Sequence, residues 1–144
     1  MLCCSPPERV LHKKEKGRKE HMTIHTEKAP AAIGPYSQAI RAGDMLFTSG
    51  QLGIDPATGL LAEGVRAQAE QSLKNLDAIL TEAKFGKNNV VKTTVFIRHM
   101  SDFAAVNEIY AAYFGDHKPA RSCVEVACLP KDGLVEIEAV AVKE

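Results

Sequence analysis

The chain has 144 residues, 45% of them hydrophobic and 25% charged, the composition of one globular domain and not of a disordered or disulfide-stapled chain. Eighteen Lys and Arg balance eighteen Asp and Glu, so no overall field recruits nucleic acid or anionic lipid. No run approaches the ~20 apolar residues of a membrane helix, while a chain of this size hides roughly 70% of its unfolded surface and so builds a full core.

The balance conceals a split. Residues 1–22 carry six Lys/Arg against three Glu, and residues 23–144 carry twelve basic against fifteen acidic residues. The first segment also holds Pro6-Pro7 and almost no apolar periodicity. It cannot bury enough surface to offset its ordering entropy, and it lacks the apolar stretch of a secretory signal. It is read as a disordered basic tail, with Met22 a candidate functional start and 23–144 the folded domain.

Ala29-Pro30 to Gly34-Pro35 forms an irregular lead-in, since each proline fixes its φ and disfavours helix before it. Tyr36–Arg41 and Met45–Ser49 read as a hairpin about the turn Gly43-Asp44. Gly50–Ile54 continues as a short strand up to the turn Asp55-Pro56-Ala57-Thr58-Gly59. From Val65 to Lys84 the apolar positions Val65, Ala69, Leu73, Leu76, Leu80 and Ala83 make one helical stripe, with Gly86 as its stop. Val90–Arg98 alternates as a strand. Phe103–Phe114 repeats the helical pattern through Phe103, Val106, Tyr110 and Phe114, with Ser101 or Asp102 as its cap. Two strands follow, Ala120–Ala127 and Leu134–Val142, joined by the turn Pro130–Gly133. The order β-β-(β)-α-β-α-β-β predicts an α+β mixed sheet with two helices on one face.

The last strand is apolar on both sides: Val135, Ile137, Ala139 and Ala141 on one, Val140 and Val142 on the other. Two helices cover one side only, so a second subunit is expected to cover the other. Cys3 and Cys4 are adjacent, which suits neither an ordinary disulfide nor a metal site. Cys123 and Cys128 lie in an apolar stretch and read as buried thiols of a reducing compartment. The five His residues lack metal-ligand spacing. A cytoplasmic protein without a metal is the expectation.

Five blocks stand out in order: Ala31–Ala39 (with Gly34-Pro35-Tyr36-Ser37-Gln38), Thr48-Ser49-Gly50-Gln51, Val91–Phe96, Pro119-Ala120-Arg121-Ser122-Cys123-Val124-Glu125-Val126, and Val135-Glu136-Ile137-Glu138-Ala139. Together they resemble the RidA (YjgF) family of reactive intermediate deaminases, from about residue 23 to the C-terminus. The resemblance implies a chorismate-mutase-like α+β fold, a homotrimer with active sites between subunits, and hydrolysis of 2-imino acids such as 2-iminopropanoate and 2-iminobutanoate to 2-oxo acids and ammonia. Such imines, or their enamine tautomers, leave pyridoxal-phosphate enzymes that dehydrate serine and threonine, and they damage other such enzymes. By position, Arg121 matches the arginine that binds the substrate carboxylate, Glu136 the carboxylate that holds the attacking water, and Cys123 a residue whose backbone carbonyl assists that water. Tyr36, Ser49, Gly50 and Asn107 match residues lining the cleft. The link Gly115-Asp116-His117-Lys118 is shorter than in several relatives and lacks an aromatic before Pro119, a departure that bears on the substrate side-chain pocket.

The chemistry asks little of a protein. A 2-imino acid carries a carboxylate beside a C=N carbon that becomes electrophilic once its nitrogen is protonated. A planar guanidinium binds the carboxylate bidentately, and one carboxylate orders water and offsets the iminium charge. No cofactor is required. Structural alternatives stand beside these roles: an Arg121–Glu136 cross-strand ion pair, Tyr36 as core, Cys123 as a small buried apolar residue, Asn107 bonded to a neighbouring carbonyl, and Glu138 as a solvated or interface carboxylate. Alternative functions are a non-catalytic trimeric metabolite sensor, an RNA-cleaving translation inhibitor and a holdase-like chaperone. The folded part's net negative charge and the eight aromatics of the whole chain speak against nucleic acid.

Overall fold

A computed structural model describes residues 21–144; the reading of residues 1–20 as a tail lies outside them. The chain orders as β1 (Met22–Ile24), β2 (Ala39–Ala42), β3 (Met45–Thr48), β4 (Gln51–Leu52), α1 (Gly64–Glu82), β5 (Val90–Ile97), α2 (Phe103–Phe114), β6 (Ala120–Glu125) and β7 (Val135–Val142). One mixed sheet runs β1-β2-β3-β7-β5-β6, and β4 also pairs β7. All pairs are antiparallel except β5–β6, the pair that α2 connects as a crossover helix. Gly43 at φ 63 supplies the positive φ of the two-residue β2–β3 hairpin.

Both helices pack on one face. Ala69, Leu73, Leu76, Ile79 and Leu80 of α1 and Val106, Tyr110 and Phe114 of α2 share one core with Val135, Ile137, Ala139 and Ala141 of β7. Fully burying each large aliphatic side chain there contributes about 1.5–3 kcal/mol. No helix of the described residues covers the opposite face, where Leu52, Ile54 and Leu129 pack on Phe96 at one end. Phe47 and Val124 are each 43% exposed, and Val140 and Val142 are half-buried beside them.

Several local expectations need correction. β1 was not anticipated; it includes Met22, which pairs with Arg41. Tyr36 lies before β2, in irregular backbone. The terminator of α1 is not Gly86 but Lys84, which takes φ 66. The Lys84 N–H donates to the Thr81 carbonyl and the Phe85 N–H to the Leu80 carbonyl, at 3.0 and 2.8 Å. Burial of Phe85 against the core holds this Schellman turn in place of a glycine. Asp102 occupies the N-cap position of α2 without a side-chain cap bond, because a 3-10 turn at Met100–Asp102 leads into the helix. Cys128 is exposed and Cys123 only half-buried, since β6 stops at Glu125 and leaves Cys128 on a loop.

Candidate active site

β3 and β4 pair with the same strand in registers one residue apart: Phe47 lies opposite Val140, but Gln51 opposite Ile137. Thr48, Ser49 and Gly50 therefore face only Glu138 and Ala139, and the extra residue pushes the backbone out as a bulge. Thr48 repairs the gap, its hydroxyl accepting the Ala139 N–H at 2.9 Å. Ser49 turns away, its N–H donating to the Gln38 carbonyl at 2.9 Å and its hydroxyl to the Ser37 carbonyl at 2.6 Å. Gly50 is left beneath the Glu136 carboxylate. A Cβ there would sit 2.1 Å from Glu136 Oε1, so only glycine leaves the carboxylate its place.

Glu136 lines a cleft of about 490 Å³ with Ile33, Tyr36, Gly50, Leu52 and Ile54. Burial, and secondarily the charge of Glu138, holds its carboxyl above the ordinary carboxylate range. The outer wall hangs on Gln38. Its side chain accepts the Thr26 N–H at 2.7 Å and donates to the Thr26 and Pro30 carbonyls at 3.0 and 2.9 Å, pinning the proline-rich lead-in. That lead-in presents Tyr36, 49% exposed, with its hydroxyl accepting the Ile33 N–H at 3.4 Å. The floor hangs on α1. Ser72 donates to the Gln51 carbonyl at 2.6 Å, and Asn75 to the Leu52 and Ile54 carbonyls at 3.1 and 2.8 Å.

Arg121 stands elsewhere, on edge strand β6 against α2. Its Nη1 donates to Asn107 Oδ1 at 2.7 Å. Its guanidinium carbon lies 4.8 Å from the centre of the Tyr110 ring and 5.6 Å from that of Phe103. Asn107, expected as a cleft residue with a neighbouring carbonyl as its simplest partner, instead bonds the arginine. Cys123 is two residues along the same strand. Burial pushes its thiol up while Arg121 pulls it partly back, the opposite of an activated nucleophile.

The register decides how these groups relate. Arg121 is level with Thr93 of β5, and Thr93 with Ala139 of β7, so Arg121 belongs to the helix-covered face. Glu136, three residues before Ala139, belongs to the other face, level with Phe96 and Val124. A cross-strand Arg121–Glu136 ion pair is thereby overturned: β5 separates their strands and the sheet separates their side chains. Each chain instead brings together two groups. Tyr36, Gly50 and Glu136 line one cleft beside the β3–β4 bulge, while Ser49 of the bulge turns to the Ser37 carbonyl; Arg121, Asn107 and the Cys123 strand gather under α2. Sequence reasoning missed Gln38, Ser72 and Asn75 as supports. It also missed Phe103 and Tyr110 as neighbours of the guanidinium, although with Asn107 they recur at the i, i+4, i+7 spacing of one helix face. Among the described residues no group of three His, Cys, Asp or Glu could hold a metal, and no helix is long and apolar enough to cross a membrane.

Comparison with known proteins matches this architecture. The family model described as Endoribonuclease L-PSP matches residues 26–143. A protein of Salmonella typhimurium named 2-iminobutanoate/2-iminopropanoate deaminase is 56% identical over 124 residues, 84% of this chain and 97% of that protein. The crystal structure of the YjgF gene product of E. coli superposes with a TM-score of 0.83 at 52% identity, covering 85% of this chain and 99% of that one. E. coli TdcF with bound serine gives the same TM-score and coverage at 47% identity. Fold, motifs and relatives agree, and the chain belongs to the RidA (YjgF) family.

Proposed function

We propose that this protein is a 2-imino acid hydrolase, converting 2-iminopropanoate and 2-iminobutanoate to 2-oxo acids and ammonia, in homotrimers whose sites join two protomers. The observation that carries this reading is the division of the site. Among the described residues, one face offers a guanidinium without a carboxylate partner and the other a desolvated carboxylate without a cation. A neighbouring copy docked on the uncovered sheet face brings the Arg121 group of one protomer to the Glu136 group of the next. Phe47, Val124, Val140 and Val142 supply apolar area for that contact. The names of curated relatives at 54–56% identity support the choice of substrate.

In this reading the Arg121 fork binds the substrate carboxylate in two parallel charge-assisted hydrogen bonds and so fixes the adjacent C=N carbon. Glu136 accepts a hydrogen bond from a water aimed at that carbon. As the water oxygen bonds to the iminium carbon, the C=N π pair moves to nitrogen and a water proton passes to Glu136. Glu136 hands the proton to the amine, the C–N bond breaks as the hydroxyl oxygen forms C=O, and the hydroxyl proton passes to Glu136, which releases it to the departing ammonia. Ammonia and a 2-oxo acid result. A carboxylate whose pKa is lifted by burial is a better base for this relay than a solvated one. Removal of the imine protects pyridoxal-phosphate enzymes in the cytoplasm, where serine and threonine dehydration would generate it.

The test is direct. An amino-acid oxidase generates 2-iminopropanoate in the presence of semicarbazide, and the protein competes with the trap. Loss of the semicarbazone signal is expected, with Arg121→Ala inactive. Undiminished trapping by wild-type protein would place it among non-catalytic binders.

A further inference from the structure

The surroundings of Arg121 do more than hold a side chain. Its only hydrogen bond among the described residues goes to the neutral Asn107 carbonyl, and its cation lies near two uncharged rings, Tyr110 and Phe103. The ion pair found among the described residues is Arg66–Glu108, so no carboxylate of the described residues neutralises Arg121. Tyr110 is itself fixed. Its hydroxyl bonds the Thr93 hydroxyl at 2.7 Å, Thr93 is wholly buried, and the Tyr110 ring packs at 4.7 Å on Phe114. Phe103, Asn107 and Tyr110 leave α2 on one face, so a single rigid helix sets the position of the guanidinium.

We infer that the ring of Tyr110, packed on Phe114, makes Tyr110 a positioning residue that, with Phe103, presents the Arg121 guanidinium to an anionic substrate with its charge unspent. This rests on the proposed reading of Arg121 as carboxylate anchor. A neutral cradle does what a carboxylate partner would not. The ring faces favour the cation and limit its motion, yet they occupy none of its in-plane donors. Asn107 takes one donor, leaving the rest of the five for a bidentate grip. A glutamate or aspartate in the same place would hold the fork as firmly and compete with every incoming carboxylate.

Tyr110→Leu removes the ring face, whereas Tyr110→Phe keeps it and loses only the bond to Thr93. With substrate generated in situ, Tyr110→Leu is expected to raise KM about fivefold to tenfold with kcat within about twofold of wild type; Tyr110→Phe is expected to stay within about twofold in both. Titration with 2-oxobutanoate, followed by the Arg121 Nε–H resonance, should show the same order in Kd. The upfield ring-current shift of that resonance should shrink in Tyr110→Leu and persist in Tyr110→Phe. If Tyr110→Leu fails to fold, Phe103→Leu serves, with a smaller KM rise expected. Unchanged Kd in whichever variant folds, or Tyr110→Phe as damaged as Tyr110→Leu, overturns the inference. Wild-type protein that binds 2-oxobutanoate but hydrolyses no imine would refute the proposed enzyme, and the Kd series would still decide the role of Tyr110.

Discussion

Gly50 and Glu136 show how narrow the tolerances are at the scale of one residue. A methyl group at Gly50 would lie 2.1 Å from Glu136 Oε1, deep inside van der Waals contact, so Gly50→Ala must displace Glu136. Misplacement of about 1 Å costs on the order of a hundredfold in rate, and Gly50→Ala should lose that much kcat. A melting temperature near the wild-type value, measured alongside, will separate this from unfolding. The pH profile gives a second test. In the proposed mechanism hydrolysis needs ionised Glu136, so kcat/KM should fall as pH drops through its pKa, which stands above the usual carboxylate range. Glu138→Gln removes the like charge, lowers that pKa and moves the acid limb to lower pH. Burial, the larger cause, persists and keeps the limb above that of a solvated carboxylate. A limb that stays put or rises would show that Glu138 does not act on Glu136. The roles proposed for Arg121 and Glu136 rest on contiguous motifs, which a sequence displays directly. The duties of Gln38 and Thr48 were not legible there: each bonds backbone that is distant in the chain, and nothing local signals the partner.

Elements were read well where periodicity is strong and poorly where tertiary contacts decide. Phe103–Phe114 agrees with its expected span to the residue, because four apolar anchors define its stripe. Residues 22–24 escaped notice, since three residues carry no pattern and their pairing depends on Gln38 drawing Thr26 and the lead-in alongside. The end of α1 was misplaced because a lysine does a glycine's work. Lys84→Gly should therefore stabilise the protein by about 0.5–1 kcal/mol in denaturant unfolding, by relieving the positive φ. No gain would mean the Lys84 backbone is unstrained. The polar seam of α1 is the opposite case. Asn75 is fully buried and answers two carbonyls of the β4 segment. Asn75→Ala strands both and should cost about 2–4 kcal/mol, with activity falling further than stability because the same segment carries Gly50.

For the whole molecule, the sequence disclosed that one sheet face lacks helices, which follows from counting helices against apolar strand sides. It did not disclose that Arg121 and Glu136 stand on opposite faces. That fact comes from strand order and register, β7-β5-β6 with Thr93 as the common reference, both fixed by long-range pairing. The consequence for the proposed function is large: if Arg121 and Glu136 act on one substrate, they come from two chains. Phe47→Glu should convert the assembly to monomers in light scattering and abolish imine hydrolysis, although it touches neither group. The most direct measurement mixes two inactive variants, Arg121→Ala and Glu136→Gln, by joint refolding. In randomly mixed trimers an intact Arg121 meets an intact Glu136 across about one quarter of the interfaces, so about one quarter of wild-type activity should return, while either variant refolded alone stays inactive. A mixture verified to contain hybrid trimers but as inactive as its parents would contradict a site shared between protomers.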